Sequence, residues 1–367
     1  MTSVELNLNK SRSSIFSRIK QKFLFLLRIT NRPVVKVYNG YGTSNHVTVF
    51  GHVFTLSPLP RKRYRRNIWT NTLALIRLFI VRTESRARLQ WITPDNQVLE
   101  REVQHDGFYK FDWHPSATVE PGWHSVKLKL IQLKDKKPKR ECLGEGCFFV
   151  PHVNQYSFIS DIDDTFLISH SSNLRKRLFV LLTENARSRK PFEGVVYHYR
   201  LLTTAGVRDG EFNPFFYVSS SEWNLFDYIL EFSRINELPR GIYLLNQMKV
   251  FKEIWKTGQN NHGTKFMRIS RILEAYPRQR FILLGDDSQQ DPVIYASIVE
   301  HFPNQIKAVY LRNVFDKNAT IATEAIRKIE AHNIPCCHFE HSQDAINHSI
   351  SIGLIEPELS IDADTID

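Results

Sequence analysis

Two short apolar runs in this sequence each end in aspartates. The run at 158–160 leads into Asp161, Asp163 and Thr165, and the run at 281–284 leads into a second acidic group. Carboxylates at the end of an apolar strand are costly to hold in place unless they serve a purpose. Open α/β sheets bind their ligands at the carboxyl ends of strands. The pattern therefore predicts acid chemistry at the edge of a sheet.

The first acidic group has the residue types that phosphate monoester hydrolysis requires. A covalent route needs an attacking oxygen, a proton for the leaving alcohol and positive charge on the phosphoryl oxygens. We predict Asp161 as the nucleophile, Asp163 as the general acid and base, and Thr165 as a hydroxyl that fixes the turn at the phosphate. Two carboxylates this close repel each other, which implies a divalent cation, and oxygen ligands favour Mg²⁺.

Two later segments supply groups that can hold the phosphate. The apolar run at 215–218 is followed by Ser219 and Ser220, whose hydroxyl and backbone N–H groups can bind a phosphoryl oxygen at a helix start. Lys265 stands at the start of a helical stretch and can neutralise both the nucleophile and the phosphate. We expect these groups to lie at the same edge of the sheet as Asp161.

The second acidic group completes the predicted metal site. The run at 281–284 ends in Asp286 and Asp287, with Asp291 four residues further on. Each motif alone also fits an ordinary structural role, namely a helix cap, a loop, a surface charge or a turn. Their occurrence together, in this order and at strand ends or helix starts, favours a catalytic site.

The order of these motifs resembles the haloacid dehalogenase superfamily and, more narrowly, the family of the fungal actin-patch phosphatidate phosphatase and its bacterial relatives. The stretches that carry the narrower resemblance are 38–43, 160–165, 217–221 and 285–292. The usual Gly-Asp-Ser-Gly-Gln of that family reads Gly-Asp-Asp-Ser-Gln at 285–289 here. This departure leaves open which of Asp287 and Asp291 supports the metal.

The resemblance implies a fold and a set of ligands. It implies Mg²⁺ held by Asp161, the backbone carbonyl of Asp163 and Asp286, with Asp291 or Asp287 in support. The implied fold class is α/β, with a haloacid dehalogenase-like Rossmannoid parallel sheet. The cap is expected to be small or missing, because only about 50 residues separate the first acidic group from the next strand.

The pattern along the chain divides it into four parts. We predict a basic amphipathic segment at 1–33, a β-sandwich-like accessory domain at 34–150, the phosphatase domain at 151–350 and an acidic tail at 351–367. Strands of the phosphatase domain are predicted at 156–160, 215–219, 241–245, 280–285 and 307–312. Helices are predicted near 173–187, 194–204, 222–235, 264–276, 291–302 and 319–332. One more strand and helix are expected after Pro335.

Charge and composition bear on the partners. Lys and Arg number 49 against 38 Asp and Glu, which gives a net charge of +11 and favours an anionic partner. The excess is concentrated at 1–33 and 61–66, so nucleic acid is not an expected partner. The segment 1–33 could lie on an anionic membrane or pack on its own protein. No run of about 18 apolar residues is present. We expect a cytoplasmic protein, peripheral on the inner face of the membrane, with its four cysteines as free thiols.

The leading hypothesis is a Mg²⁺-dependent phosphatase that acts on phosphatidate or a related lipid phosphate through an aspartyl-phosphate intermediate. A protein or polynucleotide phosphatase would use the same residues. In a different class, the chain could be a non-catalytic, membrane-associated scaffold. The intact set of acidic, serine and lysine residues argues against the scaffold, because a vestigial site has no need to crowd like charges together.

Overall fold

A computed structural model describes residues 28–58, 77–138, 140–162, 194–208, 210–248, 262–287, 290–314 and 319–357. Several predicted features lie outside these residues: nearly all of the basic N-terminal segment, the cluster at 61–66, the region of a cap and most of the acidic tail. Asp163 and Thr165 also lie outside them.

The N-terminal part is built of strands that pair mainly in antiparallel fashion. They are β1 (Ile29–Thr30), β2 (Val34–Val37), β3 (Gly40–Thr43), β4 (His46–Pro58), β5 (Arg82–Thr83), β6 (Ala87–Ile92), β7 (Val98–Glu102), β8 (Phe108–Trp113), β9 (Gly122–Leu133) and β10 (Leu143–Val150). The long strand β4 pairs with five others, and the hydrogen bonds join all ten strands into one connected sheet rather than two separate sheets. The apolar spacing at 68–81 predicts a helix ahead of β5, and the described part of that stretch holds only the short 3-10 helix Arg77–Phe79.

This β-rich part has a core of its own. Side chains alternate between core and solvent along a strand, and in β6 the inward positions are Ala87, Leu89 and Trp91. Trp91 meets Trp113 of β8 edge to face, with ring centroids 5.4 Å apart. Both indoles are almost fully buried. The alternation of apolar and polar residues in the sequence thus places the apolar side chains in a single core.

The second part contains a parallel sheet, as predicted. Its strands are β11 (Tyr156–Asp161), β12 (Phe215–Glu222), β13 (Gly241–Asn246), β14 (Arg280–Asp286), β15 (Ile306–Arg312) and β16 (Cys336–Phe339). Their order in the sheet is β13-β12-β11-β14-β15-β16. The chain therefore moves outward from β11 in one direction and then returns to its other side with β14. Such a reversal opens a crevice at the carboxyl ends of the two central strands.

Helices follow the strands of the parallel sheet. The described helices are α1 (Val195–Thr203), α2 (Phe226–Ile235), α3 (His262–Ala275), α4 (Asp291–His301), α5 (Ala319–Glu330) and α6 (Ser342–Ser351). Within this set, α4 contacts α3 and α5, whereas α1 contacts α6. The six helices and strands β11–β16 agree with the predicted elements. The core continues past α6, however, because Leu354 and Ile355 are buried. The predicted boundary of the acidic tail at 351 is therefore too early.

A segment between β2 and β3 makes non-covalent contacts between the β-rich part and the parallel-sheet part. Tyr38 stacks on Trp223, which directly follows β12, with ring centroids 4.0 Å apart. The next residue, Asn39, donates from Nδ2 to the backbone oxygen of Gly241 at 2.7 Å. Gly40 then passes so close to β4 that an added Cβ would lie 2.4 Å from the oxygen of Thr48. The side chains of Tyr38 and Asn39 therefore make the contact with the parallel-sheet part, and Gly40 returns the chain to the β-rich part.

Candidate active site

The sheet order brings the two acidic strand ends together. Asp161 is the last residue of β11 and Asp286 the last of β14, and these strands are neighbours, with Ser160 aligned to Leu284. Both aspartates are buried. Although 125 residues apart in the chain, they meet in the crevice where strand order reverses, which is the expected place for a ligand in this class of fold.

Lys265 contacts an aspartate of each acidic group, whereas its predicted contact with phosphate stays a prediction. It lies in the first turn of α3, and its Nζ donates to Oδ1 of Asp161 at 2.7 Å and also to Oδ1 of Asp291. Its side chain is only 7% exposed. Burial disfavours the ammonium, but the two carboxylates outweigh this effect and raise the pKa of Lys265 above its ordinary value. The lysine is therefore a fixed positive charge.

Three carboxylates in the crevice form a group that could hold a cation. Asp161, Asp286 and Asp291 each offer an oxygen, and these oxygens lie within 4.8 Å of one another. Three ionised carboxylates and one ammonium carry a formal charge of −2 between them. Buried charges of one sign are costly, and hard oxygen donors suit Mg²⁺ or a similar ion.

Close packing beside Asp291 supports a metal at this place. An added Cβ at Gly285 would lie 2.7 Å from both Asp291 Oδ2 and Tyr295 Cε2, so only glycine fits there. The Oδ2 atom of Asp291 is buried and accepts no hydrogen bond from the described residues. A bound cation would give this oxygen the partner that a buried carboxylate needs.

Asp287 faces a different set of groups. Its Oδ1 accepts the backbone N–H of Val314 at 2.7 Å, and its Oδ2 lies 3.1 Å from Nε2 of His338 in β16. The carboxylate thus links the end of β14 to the strands beyond it. Asp291, and not Asp287, is grouped with Asp161 and Asp286, which is the choice that the sequence left open.

The predicted phosphate-binding serines lie at the same edge. Asp161 is aligned with Val218 on β12, so Ser219 lies one position further along the neighbouring strand than Asp161. The hydroxyl oxygen of Ser219 accepts the N–H of Ser221 at 2.9 Å, which shapes the end of the strand. Ser219 is buried and Ser220 is half-buried.

One residue at the site escaped the sequence analysis. Arg268, one turn after Lys265 on α3, donates from Nη1 to the backbone oxygen of Ser219 at 3.1 Å and from Nη2 to Oδ1 of Asn246 at 3.0 Å. Burial, with a contribution from nearby Arg271, lowers the pKa of Arg268 to about 10. The helical spacing of Lys265 and Arg268 was the signal, because residues three apart share a helix face.

The residue before Asp161 and a tyrosine of α1 form a further contact that the sequence did not predict. The Ser160 hydroxyl lies 2.8 Å from both the backbone oxygen of Asp161 and the phenol of Tyr199 in α1. Burial raises the pKa of Tyr199, which keeps the phenol neutral and able to donate a hydrogen bond. These contacts fix the backbone that carries Asp161. No feature of the sequence pointed to them.

The fold and the acidic cluster describe an α/β protein with a polar site at the carboxyl edge of a parallel sheet. Comparison with known proteins agrees with the class predicted from the motifs. Residues 156–313 match the family model described as "Phosphatidate phosphatase APP1, catalytic domain". This match confirms the resemblance to that family for the part of the chain that carries Asp161, Lys265, Asp286 and Asp291.

Individual relatives cover the same region. The chain is 31% identical over 163 residues to "Phosphatidate phosphatase APP1" of Saccharomyces cerevisiae, which is 44% of this chain and 27% of that protein. It is 25% identical over 205 residues to "Uncharacterized protein C29B5.04c" of Schizosaccharomyces pombe, with coverage of 54% and 32%. The chain thus spans about a third or less of the length of these curated relatives.

Among solved structures, a D319A mutant of the PilB minor pilin from Streptococcus sanguinis aligns over 93% of this chain and 98% of its own, at 10% identity. The TM-score of 0.31 is too low to indicate a shared fold. In the part of the chain that the structure describes, no helix is long and apolar enough to cross a membrane.

Proposed function

We propose that this chain is a Mg²⁺-dependent phosphatase that hydrolyses a phosphomonoester through an aspartyl-phosphate, with phosphatidate or a related lipid phosphate as substrate. The observation that carries the proposal is the cluster of Asp161, Lys265, Asp286 and Asp291 in the crevice between β11 and β14. The cluster lies within the segment that matches a phosphatidate phosphatase catalytic domain.

Asp161 is the proposed nucleophile. Lys265 holds its Oδ1, and the bonds of Ser160 hold its backbone, so the carboxylate has a defined orientation. A carboxylate oxygen of Asp161 forms a bond to phosphorus while the ester P–O bond breaks. The leaving alkoxide takes a proton from Asp163. Orientation of this kind removes much of the entropic cost of the attack.

The second step releases inorganic phosphate. Asp163 takes a proton from a water molecule, whose oxygen attacks phosphorus as the bond to Asp161 breaks. Lys265 and the end of β12 at Ser219 and Ser220 stabilise the phosphoryl oxygens in both steps. Arg268 holds the backbone of Ser219 in place. On the basis of the sequence, we assign the hydroxyl of Thr165 the role of fixing the turn at the phosphate.

Asp161, Asp286 and Asp291 would hold the cation, with the backbone carbonyl of Asp163 as a further ligand. When bound, Mg²⁺ neutralises negative charge on the carboxylates and the phosphoryl group. We assign Asp291 rather than Asp287 to this site, because the carboxylate of Asp287 is engaged by Val314 and His338.

We also propose a fold family for the catalytic part, an accessory domain, a lipid substrate and a membrane contact. The strand order and the acidic strand ends support a haloacid dehalogenase-like Rossmannoid sheet at 151–350. A small cap or none is supported only by the short sequence between the first acidic group and β12. The separate core at 34–150 supports an accessory domain. A sandwich would require the one connected sheet to fold back on itself. A lipid substrate is supported by the name of the S. cerevisiae relative and by the net charge of +11. The basic segment 1–33 would contact the cytoplasmic face of a membrane.

The test compares Mg²⁺-dependent phosphate release from phosphatidate vesicles, a phosphopeptide, a 3′-phosphorylated oligonucleotide and a soluble aryl phosphate. Asp161→Asn should lower the rate at least about 10⁴-fold on whichever substrate is used, as expected for loss of a nucleophile. Asp344→Asn, which changes an exposed aspartate on α6, is the matched control and should keep the wild-type rate.

The outcomes separate the hypotheses. Release from phosphatidate alone supports the lipid assignment, and release from only the peptide or the oligonucleotide replaces it with the corresponding substrate. A wild-type protein that hydrolyses none of the four substrates would leave only the non-catalytic alternative. An Asp161→Asn variant with the wild-type rate would refute the proposed mechanism.

A further inference from the structure

A cavity of about 550 Å³ lies at the amino ends of the parallel strands. Its wall includes Pro214, which precedes β12, and Pro239 and Arg240, which precede β13. The β-rich part closes the other side with Trp123 and Phe149. Because Asp161 stands at the carboxyl ends of the same strands, this cavity is separate from the candidate active site. We call it the amino-end cavity.

The lining of the amino-end cavity is mostly apolar but carries positive charge. Trp123, Phe149 and Phe212 provide aromatic surface, and Phe212 is 59% exposed. The guanidinium of Arg240 lies over the ring of Trp123, 3.8 Å from its centroid, and donates to Sγ of Cys147. Stacking of this kind fixes an arginine side chain without neutralising it.

The charge of Arg240 is not balanced by an acid. Arg200, on α1, is paired with Glu237 at the rim of the cavity. Arg240 has no carboxylate within salt-bridge distance in the part of the chain that the structure describes. The cavity therefore has a net positive charge beside an apolar wall. Asn213 keeps one side of that wall in place, because its Nδ2 donates to the oxygens of both Leu202 and Ala205.

We propose that the amino-end cavity binds a single-chain amphiphile with an anionic headgroup. The acyl chain would lie against Trp123, Phe149 and Phe212, and the headgroup would meet Arg240. The volume is within the range of small-molecule sites, which also occur preferentially at junctions between domains. A charged hydrogen bond to the guanidinium would orient the ligand.

Such a ligand would contact both parts of the molecule. Trp123 and Phe149 belong to β9 and β10, whereas Arg240 and Pro214 belong to the parallel-sheet part. Binding should therefore stabilise the junction and raise the melting temperature with ligand concentration. The proposal does not rest on the phosphatase assignment, because none of the catalytic groups takes part in it.

The test is calorimetric titration of the full chain with dodecanoate below its critical micelle concentration. We expect saturable binding at one site per chain. Dodecanol, which lacks the charge, and acetate, which lacks the chain, should each bind at least about tenfold more weakly. A parallel titration with dodecylphosphonate, which cannot be hydrolysed, shows whether the site prefers a phosphate-type headgroup to a carboxylate. Inorganic phosphate should not compete, since it lacks the apolar chain.

Variants locate the site. Arg240→Gln should weaken dodecanoate binding about tenfold and leave dodecanol unchanged, because it removes a charge-assisted contact. Phe212→Ser should weaken both. Arg234→Gln is the matched control, since Arg234 is an exposed arginine of α2 that pairs with Glu231 away from the cavity, and it should bind as wild type does.

Three results would overturn the proposal: no saturable binding of either charged amphiphile to the wild type, equal binding of dodecanoate and dodecanol, or equal binding by Arg240→Gln and wild type. Release of phosphate from a soluble aryl phosphate, measured on the same preparations, reports on the active site separately. A failure of one assignment is thereby distinguished from a failure of the other.

Discussion

The candidate active site of the parallel-sheet part and the outer surface of the β-rich part hold their ion pairs in different environments. At the carboxyl edge of the parallel sheet, Lys265 and its partners Asp161 and Asp291 have side chains no more than 7% exposed. On the β-rich part, the pair of Lys129 and Glu141 is 51% and 61% exposed. Burying charge costs several kcal/mol per ion, whereas an exposed pair costs and contributes little.

This difference indicates where function resides. Buried charges are retained only where another interaction offsets the cost of removing them from water. Here we propose that binding of a metal ion and a phosphoryl group offsets that cost. In the β-rich part, ion pairs such as Arg88 with Glu102 lie on the solvent-exposed face of the sheet, and the opposite face packs on an apolar core. The β-rich part contacts the parallel-sheet part through Tyr38 and Asn39. The predictions below test this contrast.

The largest effect is expected from loss of the buried ammonium. Lys265→Met leaves two buried carboxylates without their shared partner and should lower the free energy of unfolding by about 3–5 kcal/mol. Lys129→Met, the matched change on the β-rich surface, should lower it by less than about 1 kcal/mol. Urea denaturation of both variants without metal measures the difference. Similar losses in the two variants would contradict the contrast.

Acid should destabilise the molecule through a histidine at the junction. Burial lowers the pKa of His52 to about 4, and its Nδ1 lies 3.1 Å from the hydroxyl of Tyr38. Between pH 6.5 and 4 the unfolded chain binds a proton that the folded chain does not, so stability falls as pH falls. The loss from this group is about 2 kcal/mol at pH 5.

His52→Gln removes the titrating group and keeps a side chain that can hydrogen-bond to Tyr38. Denaturation curves at pH 7 and pH 5 should show a smaller acid loss in the variant than in the wild type. An unchanged loss would assign the acid sensitivity to other groups.

Metal binding should stabilise the parallel sheet through Asp291 and not through Asp287. At about 100 times its Kd, Mg²⁺ should raise the free energy of unfolding of the wild type by about 2.7 kcal/mol relative to a chelator-treated sample. Asp291→Asn should lose most of this increment. Asp287→Asn should keep it, although its stability without metal falls because Val314 and His338 lose their partner.

Thermal melts with and without Mg²⁺ measure the increment in each protein. The reverse pattern, with the increment lost in Asp287→Asn and kept in Asp291→Asn, would assign the ligand to Asp287.

The smallest effect concerns how tightly the two parts are coupled. Tyr38 and Trp223 stack across the junction, so a double-mutant cycle with Tyr38→Leu and Trp223→Leu should give a coupling energy of about 0.5–1.5 kcal/mol. Denaturation followed by fluorescence and by circular dichroism measures the cycle. A coupling energy near zero would mean that the β-rich part is only tethered to the sheet.

Much of the fold could be predicted from local pattern. The strands of the parallel sheet are continuous apolar runs, and the helices between them have clear boundaries, so both agree with the structure. Strand β10 contains Gly144 and Gly146, a residue type that local propensity disfavours in a strand. In the structure these glycines let β10 pass over β2, since an added Cβ at either would lie 2.5 Å from the side chain of Val35 or Val37. Only the neighbouring strand explains them.

The residue types at the candidate site, and their order along the chain, were determined by the sequence alone. Strand ends in Asp161 and Asp286, serines that follow an apolar run and a lysine at a helix start are local features, and local features can be read from one sequence. The structure continues β12 through these serines to Glu222, so they lie within the strand and not at a helix start.

Which of these groups meet was decided by the tertiary structure. The order of the strands makes β11 and β14 neighbours, so Asp161 and Asp286 lie together. Successive residues at a strand end point in opposite directions, and this separates Asp287 from Asp286. Asp291 is the first residue of α4, and it lies beside Lys265 of α3. Such contacts depend on sheet order and on close packing between distant segments, and no local pattern encodes either.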